Sequence, residues 1–165
     1  MPKWCKSNVI VSAFYSTKYE LKRIKNMNSK ELRIGNFILS DNEIVEVNFL
    51  TPFSIGFGKG NFAPNDSILA NFKSINLNEE WLLKLGFKEI SFTQDRNKDW
   101  YKMFEIDDTS EVVSLNYYTK TNYCRFNFDI GYGNQYVDLY YVHQLQNLYF
   151  DLSGLELSTT TQAEW

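Results

Sequence analysis

His143, the only histidine of the chain, lies in YVHQLQNLYFDLSGLEL (141–157), among amides and aromatic residues. Histidine titrates near neutral pH and is the usual general base, provided that a second group orients it. At 100° per residue, Tyr141, Leu145, Leu148 and Leu152 form one apolar stripe, with Val142 and Tyr149 at its margin. The opposite face holds His143, Gln144, Gln146, Asn147 and Asp151. Asn147 stands four residues after His143 and Leu139 four before it, so no carboxylate on its own helix can orient the imidazole. A solvent-facing or locally hydrogen-bonded histidine is expected, with no catalytic role. Phe150 falls near His143 and Gln146 on the face expected to be polar. There it is either covered by the chain after Gly154 or exposed in an apolar patch that marks a partner site. His143, Gln146, Asn147 and Phe150 are therefore the candidate partner-binding residues.

The remaining chemistry-bearing groups assemble no reaction centre. Cys5 and Cys124 lie far apart, with no CxxC and no neighbouring histidine, which reads as two free thiols rather than a zinc site. GFGKGN (56–61) has glycines and a lysine but not the phosphate-loop spacing, and no strong helix follows it; a glycine-rich hairpin is the better reading. Asp107 and Asp108 open DDTS, a turn composition between two strands. No Ser–His–Asp set can be selected. No catalytic, cofactor or metal residue is nominated. Tyr117, Tyr118, Tyr132, Tyr136, Tyr140 and Tyr141 could line a ligand groove by stacking, although amphipathic edges of a sheet and helix explain them as well.

Composition bounds what must position these groups. The 165 residues are 44% hydrophobic and 22% charged, enough for one self-sufficient core without disulfide or metal staples. Aromatics reach 17%, so large flat side chains supply much of the buried area. The net charge of −3 is uneven. Residues 1–26 carry six basic residues and one acidic residue, +5, which leaves 11 basic and 19 acidic residues, −8, for the remainder. Such an acidic body disfavours a nucleic-acid partner. No apolar run is long enough to span a bilayer, and VIVSAFY lacks the cleavage site of a signal peptide, so a cytoplasmic protein is expected.

The periodicities predict the elements. LRIGNFIL and EIVEVNFL read as strands separated by Ser40, Asp41 and Asn42, and TPFSIGFGKGNFAPND as loop or irregular edge strand. A strand is expected around 67–75. Asn78 should cap a short helix with Glu79 and Glu80 in its first turn, Trp81, Leu82 and Leu85 buried, and Gly86 as its stop, Phe87 folding back. Strands are expected at 100–106, 112–118 and 123–130. In the last of these Tyr123, Arg125, Asn127 and Asp129 share a wet face, while Cys124, Phe126, Phe128 and Ile130 share the core face. GYGNQ (131–135) reads as a turn and Asp138 as the cap of the final helix, which Gly154 ends with Leu155 folding onto its last turn.

Three segments, ELRIGNFIL (31–39), LNEEWLLKLGFKEI (77–90) and YVHQLQNLYFDLSGLEL (141–157), resemble a set of small uncharacterised proteins of Bacteroidetes, their phages and mobile elements. The resemblance spans about residues 31–157. Asn78 stands where those proteins have a threonine cap, Asp151 where they have alanine, and Ser153 where they have threonine. It implies an origin rather than an activity. Because that set begins near ELRIGN, residues 1–26 are read as a basic N-terminal arm or an extension upstream of a start at Met27. The expectation is a single α+β domain over 27–157, followed by a flexible tail, 158–165. It comprises a small curled SH3-like N-terminal sheet, one short helix, and an antiparallel sheet closed by a C-terminal helix. The expected function is that of a non-catalytic interaction protein, an accessory of a phage or mobile element that binds a host or element protein. The alternative is a small-ligand or nucleotide-binding module using the aromatic-rich sheet face.

Overall fold

The structure, a computed structural model, describes residues 29–64, 72–107, 112–129 and 134–159. The basic segment 1–26 with the start at Met27, the tail beyond 159, Asp108 and Tyr132 lie outside the described residues. The fold is α+β, as expected. A curled antiparallel sheet comprises β1 (Phe37–Ser40), β2 (Glu43–Leu50), β3 (Ser54–Phe57), β4 (Asn61–Pro64) and β5 (Phe72–Lys73), in the order β4-β3-β2-β1-β5. Asp41 and Asn42 both adopt left-handed φ, 51° and 68°, in the two-residue turn that joins β1 to β2. Short polar side chains tolerate that conformation, and its twist suits a hairpin. The glycine-rich stretch is a hairpin too, β3 to β4, turning through Gly58 and Gly60. Leu32, Ile38, Val47, Ile55 and Phe72 fill the small core of this sheet.

The helix α1 (Glu79–Lys84) follows, and the side chain of Asn78 accepts a hydrogen bond from the Trp81 amide at 2.9 Å. Gly86, at φ +89°, turns the chain so that the Phe87 amide donates to the Leu82 carbonyl and the Phe87 ring is buried. The second antiparallel sheet contains β6 (Lys88–Gln94), β7 (Trp100–Asp107), β8 (Val112–Tyr118), β9 (Tyr123–Asp129) and β10 (Asn134–Leu139), in the order β10-β9-β8-β7-β6. Its inner face presents Phe104, Ile106, Val113, Leu115, Tyr117, Cys124 and Leu139 to a core shared with α1 and with α2 (Val142–Ser153).

Two local expectations are corrected. Asp138 does not cap α2; it lies in β10, and Tyr141 holds the cap position. There the Gln144 side chain reaches back to accept from the Tyr140 and Tyr141 amides. Gly154 does end α2 in the left-handed conformation, φ +73°, but Leu155 is exposed and Leu157 enters the core instead. Of the strand expected around 67–75, residues 67–71 lie outside the described residues, and Phe72–Lys73 form β5. Residues 75–77 instead clasp the entry to α2, with Val142 N–H donating to Ile75 and Leu77 N–H donating to Tyr140.

Candidate functional site

The flagged face of α2 is not a solvent face. His143 is 0% exposed and Gln146 is 1% exposed, while Leu152, assigned to the buried stripe, is 44% exposed. The helix lies between two partners. Leu145 and Tyr149 pack into the large core, and the amide-bearing face meets the segment 31–37 that leads into β1. Gln146 accepts from the Phe37 amide at 2.9 Å and donates to the carbonyls of Gly35 and Leu157 at 2.8 and 3.1 Å. Asn147 accepts from the Asn36 side chain at 3.0 Å and donates to the Glu31 carbonyl at 2.7 Å. The Arg33 guanidinium lies 3.4 Å above the centre of the Phe150 ring, a cation–π contact that accounts for an aromatic residue on this face. Gly35, at φ +91°, runs so close to Glu156 that a Cβ there would lie 3.0 Å from its carboxylate. All four candidate residues therefore come together, and what they meet is their own chain.

His143 sits inside this seam. Its ring stacks on Tyr141, 5.7 Å between centroids at 7°, and its Nε2 lies 4.0 Å from a Glu31 carboxylate oxygen. Neither ring nitrogen has a hydrogen-bond partner among the described residues. Burial lowers the pKa to about 4, against the opposing pull of Glu31, so the imidazole is neutral at pH 7. No substrate can reach it there.

The outer face of the second sheet carries a row of tyrosines. Tyr101 of β7, Tyr118 of β8 and Tyr123 of β9 stand in cross-strand register, and Tyr140 continues the row just past β10. Neighbouring rings lie 5.5, 4.9 and 5.7 Å apart, and Tyr118 and Tyr123 are stacked within 9° of parallel. One step along the strands, Arg125 forms a two-point ion pair with Asp138, 2.7 Å from Nε and 3.3 Å from Nη2. Its guanidinium lies 4.1 Å over the Tyr136 ring and within 5.6 Å of those of Tyr118 and Tyr123. The hydrogen bonds that Arg125 donates to Asp138 raise the Arg125 pKa, and burial raises that of the Tyr123 phenol. The cation is therefore fixed, and the Tyr118 and Tyr123 phenols are neutral hydrogen-bonding groups. Beside the row a groove of about 180 Å³ is lined by Trp100, Tyr118, Tyr123 and Tyr140 together with Asp99 and Lys120.

Of the tyrosines flagged in the sequence, Tyr136, Tyr140 and Tyr118, the last itself buried, lie on this outer side, whereas Tyr117 joins the core and Tyr141 is buried against His143. Trp100, Tyr101, Asp99 and Lys120 were not anticipated. The alternation in YCRFNFDI had put Tyr123 and Arg125 on one wet face, and that was the available signal. Cys124 is buried in the opposite face, where desolvation raises its pKa and leaves it an unreactive thiol. Among the described residues no three His, Cys, Asp or Glu side chains gather to hold a metal, and no helix is long and apolar enough to cross a membrane. No family model, curated protein or solved structure matches the chain.

Proposed function

We propose that the chain is a non-catalytic interaction module that takes a protein partner on the outer face of its second sheet. The sequence resemblance suggests the setting, an accessory of a phage or mobile element acting on a host or element protein. The observation that carries the reading is the aromatic groove beside a pre-set Arg125–Asp138 pair. At about 180 Å³ it is smaller than the ~300–1,000 Å³ of pockets that enclose cofactors and drug-sized ligands. It suits one anchoring side chain from a larger partner. Tyr, Trp and Arg are the residue types that dominate binding energy at protein interfaces, Tyr and Trp because they bury large area with little loss of rotamer freedom. The size argument also separates this reading from the small-ligand alternative.

The test is affinity capture from a lysate of the source organism, comparing the native chain with Tyr123→Ser, Lys120→Glu and, as a remote control, Lys59→Ala. A partner retained by the native chain and Lys59→Ala but depleted at least tenfold on both groove variants, with unchanged circular dichroism, is the expected result. Equal retention by all four proteins would refute the reading. So would a saturable thermal shift with a nucleotide or metabolite that Tyr123→Ser abolishes, which would transfer the groove to the small-ligand class.

A further inference from the structure

Resting on that partner-binding reading, we infer that Asp95, which does not itself line the groove, is its positioning residue: it fixes the wall formed by Asp99 and Trp100 against Tyr118 of the sheet. The turn 95–99 joins β6 to β7, and Arg96, Asn97, Lys98 and Asp99 are exposed while Asp95 is half-buried. Those four exposed side chains are polar or charged, so burial does not hold the turn and hydrogen bonds must. Asp95 supplies them. One oxygen of its carboxylate accepts from the amides of Asn97 and Asp99, each at 2.9 Å. Its carbonyl accepts from the Lys98 amide and its amide donates to the Asp99 carbonyl, both at 3.0 Å. Lys98 is left at φ +66°, where glycine or asparagine is easier, so the turn is held against a backbone cost.

The other carboxylate oxygen faces the Tyr118 hydroxyl, which donates to it over a long 3.5 Å. Burial, and with it the charge of Asp95, raises the Tyr118 pKa, so the phenol keeps the proton that this contact needs. A single side chain therefore reaches both the turn and the buried ring. Tyr118, Asp99 and Trp100 line the groove, and Asp95 stands behind them. Trp100 follows directly on the turn, paired with Gln94 and stacked on Phe92 at 4.9 Å. Both oxygens of Asp95 are committed to the fold, so its effect on a partner is indirect. A wall that is already fixed loses little freedom when a side chain enters the groove, whereas a loose turn would have to be ordered at that moment.

The experiment compares proton–nitrogen NMR spectra and amide exchange of the full chain with those of Asp95→Asn, Asp95→Ala, Tyr118→Phe and the double variant Asp95→Ala/Tyr118→Phe. Asp95→Asn keeps an acceptor for the two amides and a polar group toward Tyr118, and should leave the turn amides and the Trp100 indole resonance as in the native chain. Asp95→Ala should speed exchange of the Asn97 and Asp99 amides at least tenfold and displace the Trp100 indole. Tyr118→Phe should displace that indole while the turn amides stay protected, and the double variant should displace it no further than Asp95→Ala does. An Asp95→Ala spectrum changed only at the turn amides, or a Trp100 indole indifferent to Tyr118→Phe, would reduce Asp95 to closing its own turn and overturn the inference. Capture from the lysate should fall at least threefold on Asp95→Ala and recover on Asp95→Asn. If Tyr123→Ser and Lys120→Glu deplete the partner while Asp95→Ala retains it, the inference falls and the partner reading stands. Should capture be indifferent to all of them, both fall.

Discussion

Two clusters of polar and aromatic side chains among the described residues differ in access, one closed within the fold and one lining a groove. In the seam between α2 and residues 31–37, His143, Gln146 and Asn147 face inward, and the amides of Gln146 and Asn147 are matched to backbone groups from distant parts of the chain. On the outer face of the second sheet, Arg125 and Asp138 are matched to each other, but the tyrosine row beside them still opens on a groove. The inventory of residue types does not separate these clusters. Access does: the only histidine is sealed, whereas tyrosine and arginine line the groove on the second sheet.

The largest effects should come from breaking the seam. Leu145 is fully buried, and truncation to Ala should cost about 3–5 kcal/mol in transfer energy and residual cavity, read by chemical denaturation. Gln146→Ala should fall in the same range, because it leaves the buried Phe37 amide and two carbonyls without partners, at about 1–3 kcal/mol for an unsatisfied group. A loss below 1 kcal/mol in either would mean that α2 does not dock as described.

Next in size is a pH dependence. The folded pKa of His143, about 4, lies below the ordinary 6.5. Below pH 6.5 the unfolded chain therefore takes up a proton that the folded chain refuses. The contribution is complete above pH 6.5, declines as pH falls, and is exhausted near pH 4. Its size is about 3 kcal/mol, at 1.36 kcal/mol per pH unit. His143→Leu should remove this slope. It should be close to neutral in stability at pH 7, since it replaces a ring whose nitrogens have no described partner. Parallel stability–pH profiles for the two proteins would contradict the sealed histidine.

Phe150→Ala should cost less, about 1 kcal/mol or somewhat more, through the lost contact with Arg33. The smallest stability effect is expected in the groove. Lys120 is exposed, so Lys120→Glu should change stability by no more than about 0.5 kcal/mol while impairing partner capture. The contrast sharpens if seam variants lose stability and keep the partner, and groove variants do the reverse.

Strands with a clear alternation were legible in the sequence. β2, β7, β8 and β9 appear where the pattern places them, as do the Asn78 cap and the Gly86 and Gly154 stops. β6 was not recognised: it is an edge strand with no buried residue, and its only apolar alternation, Ile90 and Phe92, is exposed. β10 was masked by Asp138, a cap-like residue that the structure uses as the partner of Arg125. The helical wheel failed at α2 for a different reason. It assigns polar residues to water, whereas here a buried backbone segment supplies the hydrogen bonds that make burying amides tolerable. The groove was half legible: alternation placed Tyr123 and Arg125 together, but only strand register aligns them with Tyr101, Tyr118 and Tyr140.

Because the chain has one histidine, its imidazole proton resonances are unambiguous, and their titration by NMR tests directly which cluster is closed. The account predicts no titration between pH 5.5 and 8 and a midpoint near 4. A midpoint near the ordinary 6.5 would place His143 in water, open the seam, and return the histidine face of α2 to contention as the working surface.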